Sequence, residues 1–289
     1  MQVNKRNFSK SAFSLIELSI VILIIGILIA GVTQSSRLIN AMRLASARAQ
    51  TQSSPINSIP GIFAWYETTS ENAFDVQNPD DGQVVTTWND LNPLSPIIKN
   101  PLSQTTVGAK PTYKNASFNG LPSLYFDGGD YLSISSISSS VLLPNTQSTI
   151  FIVFNISSIS TLLFSFQTSA SNRYALEINT SLPRFDCVND TSGSLVGSTN
   201  VVGTPTIVTL YKSANTQSIY VNGSLNATQS NSQTLTAFSG ELDIGKYIDG
   251  GYLVSGNIAE LVIYDHALKN EERQSIEKYL GKKWGIALN

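Results

Sequence analysis

The chain is short of the residues that most metal and nucleophile chemistry uses. Across 289 residues there is one cysteine, Cys187, and one histidine, His266. A single Cys excludes an intrachain disulfide, and one Cys with one His excludes a Cys/His zinc cluster. Any His-dependent triad would have to pass through His266. Charge is scarce too: Asp, Glu, Lys and Arg make up 13%, about half the usual share of roughly 25%. With 18 basic and 20 acidic residues the formal net charge is −2. No basic surplus exists to neutralise phosphates, so nucleic acid is not an expected partner. Apolar content is ample at 42%, with 9% aromatic, enough to fill a core. The length suits one large domain or two ordinary ones.

The strongest local signal is N-terminal. Residues 1–12 are polar and carry Lys5, Arg6 and Lys10 without an acid. Phe13 to Val32 then reads FSLIELSIVILIIGILIAGV, with Glu17 as its one charge. As a helix this run is about 30 Å long, enough to cross a bilayer. A secretory signal has a shorter apolar stretch with its small-residue cleavage site behind it; here Ser11-Ala12 come first. Glu17 has two readings, an acid resting in the headgroup zone or a carboxylate held for a cation that arrives later. Basic residues balance on the two sides, with Arg37, Arg43 and Arg48 following the span, so charge counting does not orient it. Beyond Val32, Leu38, Met42, Ala45 and Ala49 recur at helical spacing, which predicts one helix over Phe13–Gln50 whose outer half is amphipathic. An ordinary single-span anchor with a stalk is the alternative.

The segment SAFSLIELSIVILIIGIL resembles the signal of type IV prepilins and pseudopilins. That resemblance implies a cytoplasmic leader (1–12), cleavage by a prepilin peptidase between Ala12 and Phe13, and methylation of the new amine of Phe13. Glu17 becomes the fifth mature residue, where the family carries the acid that pairs with a neighbouring subunit's amine. Ala12 departs from the family's usual Gly, which puts the rate of processing in question. The expected location is the bacterial inner membrane before assembly, then a pilus at the cell surface or a periplasmic pseudopilus.

Thr51–Gly61 is a polar, Pro-punctuated connector. From residue 62 to 289 short apolar runs alternate with Gly, Asn, Asp, Ser and Pro. Strands are expected at Ile62–Tyr66, Val84–Trp88, Ser123–Phe126, Tyr131–Ile134, Thr149–Ile156, Thr161–Phe166, Tyr174–Ile178, Ile207–Tyr211, Ser218–Val221, Glu241–Ile244 and Asn257–Tyr264. Asn222-Gly223 suits a tight primed hairpin turn. Asn270 is placed to cap a final helix with Ile276, Tyr279, Leu280 and Trp284 on one face, Glu271 and Glu272 at its start, and Lys282 and Lys283 at its end. No repeat of 20–50 residues is visible. The fold expected is a long N-terminal α-helix, then an all-β antiparallel jelly-roll sandwich with a short C-terminal helix.

Three segments, PGIFAWYETTS with VVTTWNDL, GLPSLYFDGGDYLSI, and SGNIAELVIYDHALKNEERQSIEKYLGKKWG, resemble the concanavalin A-like, laminin-G-like superfamily. Its members bind glycans or proteins, some with calcium, while others are spacers or glycoside hydrolases. Sandwich glucanases carry Glu-x-Asp-x-x-Glu; here Glu241 and Asp243 match, and Lys246 replaces the second Glu. Retaining cleavage needs two carboxyls, so no catalytic residue is assigned. Asp127 and Asp130 flank Gly128-Gly129 and read either as a ligand or calcium loop or as a hairpin turn; Asp249-Gly250-Gly251 is similar. Trp65, Trp88 and Trp284 are expected in the core, Cys187 as a buried apolar residue, and His266 in a surface turn. Together these features predict a minor or tip filament subunit whose head serves adhesion by binding a glycan or surface protein. The alternatives are a secretion pseudopilin or structural pilin with a non-binding head, and a membrane-tethered hydrolase. Expected partners are other pilin subunits, the peptidase and the membrane; no cofactor is required, with calcium open.

Overall fold

The computed structural model describes residues 14–94, 99–138, 142, 147–169, 172–188, 193–232 and 239–289. The chain divides into two compact units, Met1–Arg43 and Leu44–Asn289. The described residues of the first are helical from Leu15 onward. Helix α1 spans Leu15–Gln52, ending in the second unit, and its stretch Leu15–Val32 has a mean hydropathy of 2.9 with none of it buried. An apolar helix exposed all round is what a bilayer, rather than a protein core, covers.

In chain order the second unit contains a short 3-10 turn (Pro55–Asn57), then β1 (Ile62–Glu67), β2 (Thr87–Trp88), β3 (Leu102–Ser103), β4 (Thr112–Phe118) and β5 (Leu121–Asp127). These are followed by β6 (Leu132–Ser138), β7 (Ser148–Ile156), β8 (Thr161–Ser169), β9 (Asn172–Asn179), β10 (Leu182–Val188), β11 (Ser194–Val196) and β12 (Thr206–Lys212). β13 (Thr216–Val221), β14 (Ser224–Ser230), β15 (Ser239–Ile244), β16 (Ser255–Tyr264) and helix α2 (Asn270–Trp284) complete it. Two antiparallel sheets stack. The first runs β14-β13-β12-β7-β16-β5-β4, with β1 also paired to β16; the second runs β11-β10-β9-β8-β15-β6-β3-β2.

Strand β7 shows why the first sheet is central. Its run STIFIVFNI is apolar without alternation because both faces are covered. Ile150, Ile152, Phe154 and Ile156 enter the core between the sheets. Phe151 and Val153 enter a second core on the outer side, under α2 and the 3-10 turn. β16 divides in the same way, Ile258, Leu261 and Ile263 inward and Val262 and Tyr264 outward. The β13–β14 hairpin turns on Asn222 (φ 48°) and Gly223 (φ 84°), as that dipeptide predicts.

Several expectations need correction. The 51–61 segment is not a free connector: Thr51, Ile56 and Ile59 are buried, and Ala47 of α1 joins the outer core with them. Arg48 is likewise part of the head, its Nε donating to Thr69 O at 2.8 Å and its Nη1 to Glu71 at 2.8 Å. Asn270 is not the cap of α2 but its first residue. The cap position is Lys269, whose N–H donates to Glu272 Oε2 at 2.9 Å. At the other end Gly285 adopts φ 67° and closes the helix. Strands β3, β4, β10 and β11 were not expected, and β14 only as the returning arm of the Asn222-Gly223 hairpin. β14 (SLNATQS) is a polar edge strand, and β10 carries Pro183.

Candidate functional site

Lys5, Arg6 and Lys10 of the expected leader, and Ala12 and Phe13 at the expected cleavage point, lie outside the described residues. Glu17 lies one turn into the apolar helix and accepts the Ser14 N–H at 2.8 Å. Its carboxylate therefore closes the start of α1, where the helix dipole favours negative charge.

On the head, the outer face of the second sheet carries the polar chemistry. Register places Ser133, Asp243, Ser165, Ala175 and Asp186 in one row across β6, β15, β8, β9 and β10. The intervening row, with Leu242, Phe166, Tyr174 and Cys187, faces the core. Period-two alternation thus separates an apolar inner face from an outer face rich in charge. Glu241 and Asp243 project on the same side, and Lys246 lies between them, with Nζ 3.2 Å from Glu241 Oε1 and 3.4 Å from Asp243 Oδ1. The residue that breaks the glucanase pattern forms an ion pair with both acids that match it. The same ammonium lies 4.2 Å from the centre of the Tyr131 ring. Burial pushes the Asp243 carboxyl up to about 7, against the pull of the Ser133 hydroxyl and Lys246. Its Oδ2 is buried without a hydrogen-bond partner, as is Gln167 Oε1 on the neighbouring strand.

Further along this face Asp186 is fully buried between two guanidinium groups. Arg173 Nη2 approaches at 2.6 Å and Arg184 Nε at 2.9 Å, and the Ser194 hydroxyl donates at 2.6 Å. Although burial opposes it, the Arg173 charge is held more firmly than usual by Asp186, and the Tyr247 hydroxyl is a further partner. Tyr247 packs edge-on against Tyr252 at 5.5 Å. The result is a braced strip of alternating charges bordered by three tyrosines, a surface with many oriented donors and acceptors and little net charge. Such a surface suits a polyhydroxylated ligand better than a polyanion.

Asp127 and Asp130 form a turn. Asp127 Oδ1 accepts the Gly129 N–H at 2.8 Å, and Asp130 Oδ2 accepts the Asp127 N–H at 2.9 Å. Gly128 alone takes a positive φ, 98°, so one glycine, not two, is needed for the bend. Burial raises the Asp130 carboxyl to about 6. Calcium takes six to eight oxygens; here two carboxylates each already serve the backbone. No group of three or more His, Cys, Asp or Glu side chains converges among the described residues. The Asp249 turn repeats the arrangement, with Gly251 N–H on Asp249 Oδ1 at 2.9 Å.

One feature was invisible in sequence. Lys283, expected at the C-terminal end of the final helix, is fully buried there. Its Nζ donates to Glu67 Oε2 at 2.7 Å and to Glu260 Oε2 at 2.9 Å. Trp65 Nε1 and Trp284 Nε1 donate to the two oxygens of Glu260 at 2.8 and 2.7 Å, and the Tyr279 hydroxyl reaches Glu260 at 3.1 Å and Thr51 at 3.3 Å. Burial works to raise the Glu67 carboxyl, yet Lys283 and the hydrogen bonds of Ser70 and Thr69 hold it below its usual range. All three tryptophans are buried, Trp65 and Trp284 in this outer core and Trp88 in the core between the sheets. Cys187 is buried too, and His266 lies half-exposed beside Asp265 at 3.0 Å.

Comparison with known proteins agrees with this geometry. Residues 126–272 match the Concanavalin A-like lectin/glucanases superfamily, and residues 7–33 match the prokaryotic N-terminal methylation motif. No curated protein matches the chain. Among solved structures, the fold is similar to domain 4 of AbnA, a GH43 extracellular arabinanase from Geobacillus stearothermophilus, in complex with arabinotriose. That match has a TM-score of 0.51 at 15% identity, over 75% of this chain and 98% of that one. Trypanosoma rangeli sialidase in complex with sialic acid matches at a TM-score of 0.51 and 12% identity, over 81% of this chain but 35% of the sialidase. The chain therefore belongs to the concanavalin A-like lectin/glucanases superfamily and carries that sandwich behind a prokaryotic N-terminal methylation motif.

Proposed function

We propose that this protein is a type IV pilin-like filament subunit, a minor or tip component, whose head binds a saccharide through the tyrosine-bordered face of the second sheet. The observation that carries the reading is the presence on one chain of a methylation motif at 7–33 and a lectin-superfamily sandwich. In this reading the leader holds residues 1–12 on the cytoplasmic side of the inner membrane until a prepilin peptidase cuts between Ala12 and Phe13 and the Phe13 amine is methylated. Leu15–Val32 keeps the subunit in the bilayer until it enters a filament. Glu17 then exchanges its contact with the Ser14 N–H for the cationic amine of a neighbouring subunit, an ion pair made only in the correct register. The head binds without turnover, because Lys246 neutralises Glu241 and Asp243 and leaves no nucleophile and acid pair.

The test has two arms. Co-expression with a prepilin peptidase, followed by mass spectrometry, is expected to show loss of residues 1–12 and one methyl group on Phe13. Glu17→Ala is expected to insert into the membrane normally and fail to enter filaments; normal incorporation would refute the role of Glu17. A glycan array probed with the full chain in detergent micelles, with calcium and with EDTA, is expected to show binding that Tyr247→Ala removes. Cleavage and assembly with silence on the array would instead leave a structural pilin or secretion pseudopilin.

A further inference from the structure

A second surface of the head, on the opposite sheet, has the composition of a binding cleft. A depression of about 330 Å³ lies over the outer face of β4, β5 and β16, clear of α2. Its wall exists because β4 and β5 fall out of register. Lys114 pairs with Ser123, but the next pair is Phe118 with Leu121, so residues 115–117 bulge out of the ladder. Bulges of this kind re-aim side chains beside functional surfaces. The far side is built by the segment before β2, which extends the sheet past its edge. Gly82 N–H donates to Tyr113 O at 2.7 Å, Tyr113 N–H to Gln83 O at 2.8 Å, and Asn115 N–H to Asp81 Oδ1 at 2.9 Å.

Three groups in this cleft are held with a defined direction. Tyr125 and Asn257 face each other across the β5–β16 ladder, and Tyr125 is half-buried, with Lys114 Nζ 5.8 Å from its ring centre. The Ser123 hydroxyl donates to Asn257 Oδ1 at 2.9 Å and itself receives the hydroxyl of Ser117 at 2.5 Å. This relay fixes the amide: its oxygen is used toward the protein, so its NH2 is presented on the other side. Asp81 uses Oδ1 on the backbone of Asn115, which leaves Oδ2 as an acceptor. An aromatic ring and an amide donor on β5 and β16, with a carboxylate acceptor on the far side and Lys114 balancing Asp81, match a ring with apolar C–H faces and paired hydroxyls and offer no surplus charge for an anion.

We propose that this cleft is a second saccharide site on the head, taking one or two neutral sugar rings, with Tyr125 as the stacking platform and Asn257 and Asp81 as the hydroxyl partners. The proposal deepens the carbohydrate-binding reading and rests on it. Two sites on opposite sheets would let a single head engage two chains of a polysaccharide.

The test measures binding of neutral trisaccharides (arabinotriose, cellotriose and maltotriose) to the full chain in detergent micelles by saturation-transfer NMR and calorimetry. Tyr125→Ala is expected to weaken binding at this site about tenfold, and Tyr125→Phe, which keeps the ring, to stay within about threefold. Asn257→Asp keeps the acceptor for Ser123 and replaces the donor, and is expected to lose about tenfold as well. Tyr247→Ala, on the other sheet, is expected to leave this component unchanged. Binding removed by Tyr247→Ala and untouched by Tyr125→Ala and Asn257→Asp overturns the cleft and retains the head as a saccharide binder. A Tyr125→Phe loss equal to that of Tyr125→Ala also overturns it, since the ring would then not be the platform. No binding of any of the three sugars by the unmodified chain, where the array shows other glycans captured, overturns the cleft's neutral specificity alone. Silence on both overturns the cleft and the reading it rests on.

Discussion

Replacing Lys283 by methionine gives the most direct measure of what holds the head together. The ammonium is fully buried between Glu67 and Glu260, and its removal leaves two carboxylates in one water-free layer. Breaking a buried ion pair by deleting one partner costs about 3–5 kcal/mol, which for a domain of this size lowers Tm by roughly 6–20 °C. The pH dependence separates this from a loss of packing. With Lys283 gone, burial governs both glutamates, and their folded-state pKa values rise above the unfolded value of about 4.3. Groups with raised folded pKa values stabilise fully below the unfolded pKa, and that stability is lost as pH rises through the folded one. Lys283→Met is therefore expected to be least impaired near pH 5 and progressively worse toward pH 8. The assay is urea unfolding of the full chain in micelles at several pH values, followed by tryptophan fluorescence, since Trp65 and Trp284 donate directly to Glu260. A deficit below about 1 kcal/mol, or one that does not change with pH, would refute the reasoning.

Three other outcomes follow from the same physics. Asp243, raised to about 7 by burial, gives stability that is complete below about pH 4 and lost as pH rises through 7; Asp243→Asn is expected to stabilise the head by about 4 kcal/mol at pH 8 and by nothing at pH 4, read as the shift in urea midpoint. The Cys187 thiol, pushed up to about 12 by burial, is expected to resist a thiol reagent in the folded chain and react fully in urea; rapid labelling without denaturant would contradict its place in the core. Asp130, raised to about 6, is expected to make Asp130→Asn neutral or slightly stabilising at pH 8 by thermal melt, and a large loss would mean that its charge serves a role beyond the turn.

Much of the fold was legible because its strongest elements are decided locally. The apolar run of β7, the LVIY end of β16, the Asn222-Gly223 turn and the stripe Ile276, Tyr279, Leu280 and Trp284 each state their own structure. Polar strands were not legible. β14 pairs along its whole length with β13, yet SLNATQS has one apolar residue larger than alanine, because an edge strand with an exposed face is held mainly by its ladder. Lys283 misled for a different reason: its position near a helix end is where a cation commonly faces water, and its partners lie 216 and 23 positions away. The outer cleft was equally hidden, since it depends on a register shift in a strand that local pattern did not reveal. Glu17 and the 13–32 run were read by motif, and the ion pairs of Lys246 with Glu241 and Asp243 were not legible from the Glu-x-Asp pattern itself.

The Thr51–Tyr279–Glu260–Lys283 chain also sets how the head meets tension. A pull delivered at Leu44 meets side-chain locks as well as backbone hydrogen bonds. It arrives at a segment buried beside α2 and leads into β1, which is locked through Glu67 to Lys283 and through Trp65 to Glu260 on β16. β16 in turn is laddered to β1, β5 and β7. Load entering at Leu44 must therefore break the Glu67–Lys283 and Trp65–Glu260 contacts together with the β1–β16 ladder before β1 leaves the sheet. In a constant-force experiment, Lys283→Met should lower the force at which β1 detaches.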